Sequence, residues 1–365
     1  MKLDKIGFIG LGLIGGSIAM KLKELHPNAQ IIATAHSQST IETAHKMGII
    51  ENDSLLSIDR FASCDLIFLC APVEKNIEYL TKLKPVIQPD CIITDVGSTK
   101  ATIHEKVNEL GLNRQFIGGH PMTGSEKTGI AYANPLFLEN AYYIITPTEQ
   151  TAPVHVQQYV EMVRSFGSIP LVLDSQKHDR ATAAISHLPH MIAFSLANFV
   201  ESIDDDDEIM RTIAAGSFRD MTRVAASSPA MWESIASTNR SQIIRLMDEY
   251  IAFFNDLKEK MVHYDAKEIT DYFENAKNYR DSLNLPGKPG KSMVHEIFLD
   301  LNDEAGKIAN IATILAYHQV NIKNIGIIHN REFEEGVLRI EFYEEQAKER
   351  AILLLKGHNF VIHVR

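Results

Sequence analysis

A glycine-rich turn at residues 10–15 restricts the possible folds of this chain more than any other feature. Gly10, Gly12 and Gly15 follow an apolar strand pattern and precede a helical pattern, which is the context that a GxGxxG motif requires. The first glycine permits a tight turn, the second lets the backbone approach a pyrophosphate, and the third lets the helix pack on the strand. The helix N-terminus then offers amide donors to the phosphates. The turn predicts a dinucleotide site that also includes Leu13 and Ile14.

The first 174 residues continue with short apolar runs that alternate with helical patterns. Nearly continuous apolar strands between amphipathic helices are typical of a parallel sheet that helices cover on both faces. We therefore predict an α/β protein whose residues 1–174 form a Rossmann domain, a doubly wound sheet. Ala71 and Pro72 follow the third strand pattern, at the sheet edge where such folds bind ligands, and are predicted to contact the cofactor.

The second strand pattern ends without the acidic residue that commonly holds the adenine ribose of NAD. Residues 34–39 read TAHSQS, with neither an acid nor the Arg or Lys that would pair with the ribose phosphate of NADP. His36 and Ser37 could hydrogen-bond either cofactor. We expect NAD, and NADP is the open alternative.

The patterns change after residue 174. Residues 175–286 contain long helical patterns with apolar residues on more than one face, which predicts an all-helical domain that packs against a second copy in a homodimer. Residues 287–292, GKPGKS, form a predicted linker. Residues 293–365 alternate strand and helix patterns in a small α+β module.

The composition excludes several classes of protein. The 365 residues contain 36 Lys+Arg against 47 Asp+Glu, a net charge of −11, so no basic excess is available to neutralise a nucleic acid. Hydrophobic residues make up 45% and charged residues 23%, which excludes a disordered chain. No run of about 18 apolar residues and no signal peptide is evident. We therefore expect a cytoplasmic protein with no membrane partner.

Two loops that follow predicted strands contain candidate catalytic residues. His120 lies in the sequence GGHPMTGSEKTG, and a histidine in a Gly- and Pro-rich loop is poorly placed to fill a core. Its unperturbed pKa near 6.5 suits it to accept a hydroxyl proton during hydride removal. Ser98, in DVGSTK, could donate to a substrate hydroxyl or a cofactor amide, or could simply cap a helix.

The helical region adds histidines and arginines. His187 and His190 are three residues apart and so share a helix face, but no third ligand of matching spacing is visible and no metal site is predicted. Arg219 and Arg223 stand close to a glycine, and arginine binds carboxylates through two parallel hydrogen bonds. Ordinary ion pairs on a surface helix are the alternative for these arginines.

Together these segments resemble the bacterial prephenate dehydrogenase family of the tyrosine pathway. The motifs GLGLIGGS, DVGSTK, GGHPMTGSEKTG, SHLPH and GSFRDMTRVAASSPAMW occur in that order, and the resemblance spans about residues 5–285. It implies a Rossmann domain joined to an all-helical dimerisation domain, with the active site in the cleft between them. The implied reaction is oxidative decarboxylation of prephenate by NAD+ to 4-hydroxyphenylpyruvate, CO2 and NADH.

The resemblance also implies roles for individual residues. His120 would accept the hydroxyl proton, and Ser98 would orient His120 and that hydroxyl. Arg223 would hold a substrate carboxylate and His190 would line the substrate pocket. Ser125 is also expected near the substrate. Glu126 would form part of a gate with Arg219, although the family often has Lys at the position of Arg219.

The C-terminal module resembles an ACT domain, a small regulatory fold that senses amino acids. The resemblance rests on LNDEAGKI at residues 301–308 and VNIKNI at residues 320–325. A turn at Asp303, Ala305 and Gly306 would expose backbone donors to an amino-acid carboxylate, with Asn321 nearby. We expect feedback regulation by L-tyrosine, and a purely structural or dimerising module is the alternative.

Two other functions stay open at this point. Arogenate differs from prephenate by an amino group in place of the side-chain keto group, and no sequence feature separates an arogenate dehydrogenase from a prephenate dehydrogenase here. A non-catalytic sensor of a dinucleotide and an amino acid is the alternative from another class. The presence of Ser98, His120, His190 and Arg223 together argues against a sensor, which needs no base.

Overall fold

The computed structural model describes residues 3–125, 127–283, 295–301, 304–328, 336–358 and 360–363. The chain divides into two compact units, Met1–Asn255 and Asp256–Arg365. The strands of the first unit are β1 (Lys5–Ile9), β2 (Gln30–Thr34), β3 (Leu66–Leu69), β4 (Ile92–Asp95), β5 (Phe116–Pro121), β6 (Tyr142–Pro147) and β7 (Ile169–Val172).

The helices of the first unit follow the strands and then continue without further strands in the described residues. They are α1 (Leu13–Leu25), α2 (Gln38–Lys46), α3 (Val73–Leu83), α4 (Ala101–Glu109), α5 (Pro153–Ser165), α6 (Ser175–Thr182), α7 (Leu188–Ile203), α8 (Ile209–Ile213), α9 (Gly216–Thr222), α10 (Pro229–Thr238) and α11 (Arg240–His263), which crosses into the second unit. A π turn at Ala183–His187 joins α6 to α7.

The sheet of the first unit has the order β2-β1-β3-β4-β5-β6-β7. Strands β1 to β5 are parallel neighbours, and β1 lies between β2 and β3. The chain order reverses at β1, which creates a crevice at the carboxyl ends of β1 and β3, where doubly wound folds bind ligands. The predicted Rossmann fold is confirmed.

The last two strands depart from the predicted parallel pattern. Strand β6 pairs antiparallel with β5, and β7 then runs parallel to β6. A parallel return needs a crossover of a dozen or more residues, usually through a helix that packs on the sheet. Between β5 and β6 the described residues form only short 3-10 segments at Ile130–Tyr132 and Pro135–Leu138, so β6 returns beside β5 in the opposite direction.

Hydrophobic cores cover both faces of this sheet. Ile6 and Phe8 of β1 pack in one core with Ile18 of α1, whereas Ile9 of the same strand packs in the other core with Leu80 of α3. Successive side chains of a strand point to opposite faces, so an apolar strand supplies both cores at once. This packing accounts for the unbroken apolar runs in the sequence.

Polar contacts fasten α10 to the nucleotide-binding half of the first unit. The Ser234 and Ser237 hydroxyls each donate to the Glu74 carboxylate at 2.6 Å, and Glu74 lies in the first turn of α3. Thr99 and Thr102 donate to the side chain and the carbonyl of Thr238, both at 2.9 Å. The helical region is therefore held against the carboxyl ends of β3 and β4.

The continuous helical stretch Ser175–Ile203 is both long and apolar. Its 29 residues reach a mean hydropathy of 1.2 over an 18-residue window, so among the described residues it meets a length and composition criterion for a membrane-crossing helix. The criterion is a weak one, because core helices of soluble proteins also meet it. The sequence predicts long helical patterns in this region, within residues 175–286.

The second unit contains α12 (Ala266–Ser282) and a small α+β module. Its further elements are β8 (His295–Leu301), α13 (Lys307–Tyr317), β9 (Ile322–Ile328), β10 (Gly336–Phe342), α14 (Glu345–Gly357) and β11 (Ile362–His363). The antiparallel sheet has the order β11-β8-β10-β9. Ile311 and Leu315 of α13 and Leu355 of α14 pack on its core face. The predicted linker at residues 287–292 lies outside the described residues, and the predicted domain boundaries stay predictions.

We expect Tyr159→Phe to lower the free energy of unfolding by about 1–3 kcal/mol, because a buried hydroxyl network loses its central member. The Tyr159 hydroxyl lies 2.7 Å from Thr94 Oγ1 and 3.0 Å from the Tyr143 hydroxyl, beneath the ends of β4 and β5. Urea unfolding followed by circular dichroism measures the effect, with Tyr132→Phe, at a half-exposed ring, as the matched control. Equal midpoints for the two variants would contradict this expectation.

Candidate active site

The glycine-rich turn lies in the crevice between the ends of β1 and β3. Gly10 has a φ of +88°, and a Cβ there would lie 2.7 Å from the backbone nitrogen of Ala71. A Cβ at Gly15 would lie 2.9 Å from Cys70 Cβ, so both positions require the close approach that glycine allows. The turn and the end of β3 therefore form one surface.

Gly12 differs from its neighbours because its Cβ position faces open space. No heavy atom lies within 4 Å of a Cβ built there, and Gly12 is the N-cap of α1. Leu13 and Ile14 form the first turn, whose amide groups have no partner within the helix. Open space in front of a helix N-terminus fits a pyrophosphate, which needs close approach and amide donors.

The other predicted cofactor residues surround this crevice. The Ala71 amide donates to Asn76 Oδ1 at 3.1 Å, and Pro72 is the N-cap of α3. His36 is exposed just beyond the end of β2, and Ser37 caps α2 by accepting from the Thr40 amide at 3.3 Å. These positions suit the two ends of a dinucleotide that lies across the carboxyl ends of the strands.

His120 lies at the end of strand β5 and not in the loop that its sequence predicts, because pairing with Ile144 of β6 extends the strand through it. A second histidine holds its side chain. His120 Nδ1 lies 2.8 Å from His178 Nε2, and His178 Nδ1 lies 2.7 Å from an oxygen of Asp179. The carboxylate of Asp179 also accepts the backbone amides of Lys100 at 2.7 Å and Ala101 at 2.8 Å. His178 and Asp179 are completely buried, so neither side chain competes with solvent for these bonds.

The direction of these hydrogen bonds follows from the acceptor at their end. An ionised carboxylate only accepts, so His178 donates from Nδ1 and a neutral His178 offers the lone pair of Nε2. His120 then donates from Nδ1, which leaves the lone pair of its own Nε2 for another partner. The Asp179 carboxylate thus sets the tautomer of His120 through the ring of His178. In this tautomer His120 presents an unprotonated Nε2 that can act as a base.

The surroundings keep His120 neutral. Burial is the largest cause, and electrostatic interactions with His178, Lys100 and His187 act in the same direction, so the pKa of His120 lies well below its usual 6.5. A histidine that is neutral at physiological pH can accept a proton, which a protonated one cannot do.

A buried ion pair lies beside this histidine. Lys100 and Asp95 are both fully buried and hydrogen-bonded to each other, and Lys100 Nζ also donates to the carbonyl of Gly119 at 2.8 Å. Asp95 accepts from the amides of Gly97 at 2.9 Å and Gly119 at 3.3 Å. A Cβ at Gly119 would lie 2.7 Å from the carbonyl oxygen of Asp95, so the residue before His120 has no room for a side chain.

A second group of rings lies on the helices. The ring of His190 stacks on Trp232 with centroids 3.9 Å apart, and His190 Nδ1 lies 2.8 Å from the carbonyl oxygen of Ser186. His187 Nδ1 contacts Asn239 Nδ2 at 3.2 Å, and Asn239 also donates to the carbonyl of Asp179 at 2.9 Å. Asn239 therefore connects this group to the residues that hold His120.

The electrostatics of the second group resemble those of His120. Burial lowers the pKa of His187 to about 4 and also lowers the pKa of His190. The guanidinium of Arg223 contributes to the shift of His190, so the two side chains lie close enough to interact. A neutral ring beside a cation suits a site that binds an anionic, ring-bearing molecule.

The remaining predicted substrate residues are less enclosed. Ser98 is partly buried in the loop after β4, and its hydroxyl makes no hydrogen bond within the described part of the chain. Ser125 and Arg219 are exposed, and the Ser125 hydroxyl accepts from the Lys127 amide at 3.0 Å. Glu126 lies outside the described residues, so its predicted gate with Arg219 stays a prediction.

Sequence reasoning missed several residues that build this site. Asp95 and Lys100 stand in the quoted DVGSTK motif, but their roles were not assigned. The signal that could have identified Asp95 is a charged residue at the end of an apolar strand. His178, Asp179 and Asn239 belong to the helical region, and no local pattern connects them to His120, which precedes His178 by 58 residues.

Two family descriptions match the chain. Residues 18–169 match the prephenate dehydrogenase, nucleotide-binding domain, and residues 174–275 match the prephenate dehydrogenase, dimerization domain. The prephenate dehydrogenase of Bacillus subtilis is 36% identical over 350 residues, which cover 95% of this chain and 94% of the relative. The prephenate dehydrogenase of Lactococcus lactis is 31% identical over 366 residues, which cover 99% of this chain and 100% of the relative.

The solved structures of similar proteins agree. Prephenate dehydrogenase from Aquifex aeolicus, in complex with hydroxyphenyl propionate and NAD+, has a TM-score of 0.72 and 28% identity, and covers 78% of this chain and 99% of its own. Synechocystis arogenate dehydrogenase has a TM-score of 0.69 and 30% identity, and the match covers 76% of this chain and 99% of that structure.

We expect Gly12→Val to reduce NAD affinity by roughly tenfold or more, about 1.4 kcal/mol, because its side chain would fill the open space at the N-terminus of α1. The φ of −92° at Gly12 is accessible to valine, so the melting temperature should not fall. Titration calorimetry with NAD measures the effect. Gly326→Val, at another position with nothing within 4 Å, is the control. Unchanged affinity in Gly12→Val would place the pyrophosphate elsewhere.

Proposed function

Because the chain belongs to the prephenate dehydrogenase family, we propose that His120 is the base that accepts the hydroxyl proton of prephenate. The reaction is the oxidative decarboxylation of prephenate to 4-hydroxyphenylpyruvate with reduction of NAD+. The observation that carries the proposal is the 2.8 Å contact between His120 Nδ1 and His178 Nε2, which leaves His120 Nε2 as the free acceptor.

The proposed mechanism assigns a proton transfer to His120 and binding to the residues around it. NAD+, when bound along the glycine-rich turn, supplies the hydride acceptor. Transfer of the hydroxyl proton to His120 Nε2 lets the ring carbon become a carbonyl. Departure of the ring carboxylate as CO2 leaves its bonding electron pair in the ring, which becomes aromatic with a phenolate oxygen. The phenolate then takes up a proton to give 4-hydroxyphenylpyruvate, and the gain of aromaticity drives the reaction forward. His178 and Asp179 stabilise the positive charge that His120 gains.

The substrate-binding roles are proposals that rest on charge and position. Arg223 would hold a carboxylate of the substrate, because its guanidinium lies near the neutral His190 ring. His190 would line the pocket together with Trp232, on which it stacks. Ser98 stays our candidate for hydrogen bonding to the substrate hydroxyl, since its own hydroxyl has no partner in the described part of the chain.

We also propose that the protein is a cytoplasmic homodimer whose C-terminal module senses L-tyrosine as an ACT domain. The support is the alternation of strands and helices in residues 295–363, which form a four-stranded antiparallel sheet. Gly306, with a φ of +91°, caps α13, and Ala305 is exposed beside it, so this turn presents backbone groups to solvent. Asn321 is also exposed, whereas Asp303 lies outside the described residues.

We expect His120→Asn to reduce turnover of prephenate by about 10²–10⁴-fold while NAD binding is retained, since only the proton acceptor is lost. In the wild type, kcat/KM should fall only below pH 6.5, because the lowered pKa of His120 keeps the ring neutral above that value. Initial rates of NADH formation across pH 4.5–8 (roughly the range in which histidines titrate) measure both effects.

His45→Asn is a suitable control, because His45 lies on α2 outside this group of histidines. Two results would contradict the assignment of the base. One is an acid limb, that is, a fall of wild-type kcat/KM with decreasing pH, that begins above pH 6.5. The other is wild-type turnover in His120→Asn. Turnover of arogenate but not prephenate would keep the mechanism and overturn the substrate. NAD binding without turnover of either substrate would favour the sensor alternative.

We expect L-tyrosine to inhibit the full chain more strongly than a chain that ends at Gly290, because the truncated chain lacks the proposed sensor. Inhibition curves for NADH formation at a fixed prephenate concentration provide the comparison. Asn321→Ala in the full chain tests the same site without truncation, with Asn310→Ala on α13 as its control. Equal inhibition of full and truncated chains would show that tyrosine acts at the active site instead.

A further inference from the structure

The ion pair between Asp95 and Lys100 has no role in the mechanism described above. Both side chains are fully buried, and burial lowers the pKa of Lys100. Removing two charges from water is costly, and a hydrophobic pair of similar volume is often equally stable. Fold stability alone therefore gives no reason for a charged pair at this position.

The pair holds one residue from both sides. Lys100 Nζ donates to the carbonyl of Gly119 at 2.8 Å, and Asp95 Oδ1 accepts the amide of Gly119 at 3.3 Å. The carbonyl of Gly119 belongs to the peptide group that carries the backbone nitrogen of His120. Both polar groups of the residue that precedes the proposed base are thus bonded to the ion pair.

The contacts of Gly119 with Asp95 and Lys100 lie beyond the last paired residues of strands β4 and β5. Strands β4 and β5 are paired only at Ile93–Phe116 and Thr94–Ile117. Beyond Thr94 this backbone pairing ends, although Asp95 and Gly119 stay in close contact. The side chains of Asp95 and Lys100 bond the backbone of Gly119 in place of further backbone pairs.

Lys100 also contacts the group that holds His120 from the other side. Its backbone amide donates to Asp179 at 2.7 Å, and Asp179 bonds to His178, the partner of His120. One residue therefore contacts both the strand end that carries His120 and the carboxylate that sets its tautomer.

We propose that Lys100, paired with Asp95, is a positioning residue that fixes His120 relative to His178 and the substrate hydroxyl. The inference rests on the role of His120 as base. Reacting groups lose efficiency steeply when they are misplaced by about 1 Å. Because Lys100 is fully buried, it would act on His120 through Gly119 and Asp179.

The charge of Lys100 gives this role a measurable signature. The groups that influence the titration of His120 are His178 on α6, Lys100 before α4 and His187 in the π turn. Asp179 lies beyond His178, and Asp95 lies beyond Lys100. Because the ammonium of Lys100 lowers the pKa of His120, removing it should raise that pKa and move the acid limb of kcat/KM to higher pH.

The test compares the wild type with the double variant Asp95→Asn/Lys100→Met, which leaves no unpaired buried charge. We expect kcat to fall by about 10–100-fold, as a misplaced base predicts. The KM for prephenate and the affinity for NAD should stay near wild type, and the acid limb should move to higher pH. Lys106→Met is the matched control, because Lys106 lies on α4, the helix that Lys100 precedes, in a solvent-accessible ion pair with Glu109.

Further variants separate the possible outcomes. Lys100→Arg retains the charge with a different donor geometry, so kcat should fall while the acid limb stays in place, and this variant serves if the double variant does not fold. An unchanged kcat and acid limb in both would overturn the positioning role. His120→Asn is measured in parallel. If it turns over prephenate at the wild-type rate, the proposed base itself is wrong. If it is inactive while the Lys100 variants are fully active, only the positioning role of Lys100 is wrong.

Discussion

The hydrogen bonds from His120 through His178 to Asp179 are the interactions on which the rest of the site depends. They join the end of β5, in the nucleotide-binding half, to α6, the first helix of the helical region. Asp179 also accepts the first amides of α4, where a helix N-terminus favours a negative charge. A single buried carboxylate therefore stabilises a helix end and orients the proposed base, and the two halves cannot shift independently at this point.

The contacts of α10 reinforce the same arrangement from another direction. Glu74 binds two serines of α10 immediately after the segment that is expected to contact the cofactor, and Asn239 at the end of α10 binds Asp179 and His187. Between these ends, Trp232 stacks on His190. The residues proposed to contact the nucleotide and those proposed to contact the substrate are thus connected through one helix by short contacts.

Local patterns in the sequence predicted the parts of the protein that are locally determined. Gly10 and Gly12 indicated the nucleotide turn because a GxGxxG motif carries its own conformational requirements. His120 stood out because its Gly- and Pro-rich surroundings are untypical of a core, although the structure places it, partly buried, at the end of β5. The reversal of β6 was not predictable, since strand direction depends on how the connection packs and not on the strand itself. His178, Asp179 and Lys100 escaped notice because their roles exist only once distant segments meet. A histidine followed by an aspartate at the start of a helix reads as an ordinary surface pair until the fold buries both.

The π turn at Ala183–His187 has a geometric consequence for the two groups of histidines. A regular α-helix turns by about 100° per residue, so the twelve residues from His178 to His190 would set these side chains about 120° apart around the axis. A π turn accommodates one additional residue, which reduces the angle to about 20°. In this idealised geometry the π turn brings His178 and His190 onto nearly the same side of the helix axis, so the residue that contacts the proposed base and the residue proposed to line the substrate pocket share one face.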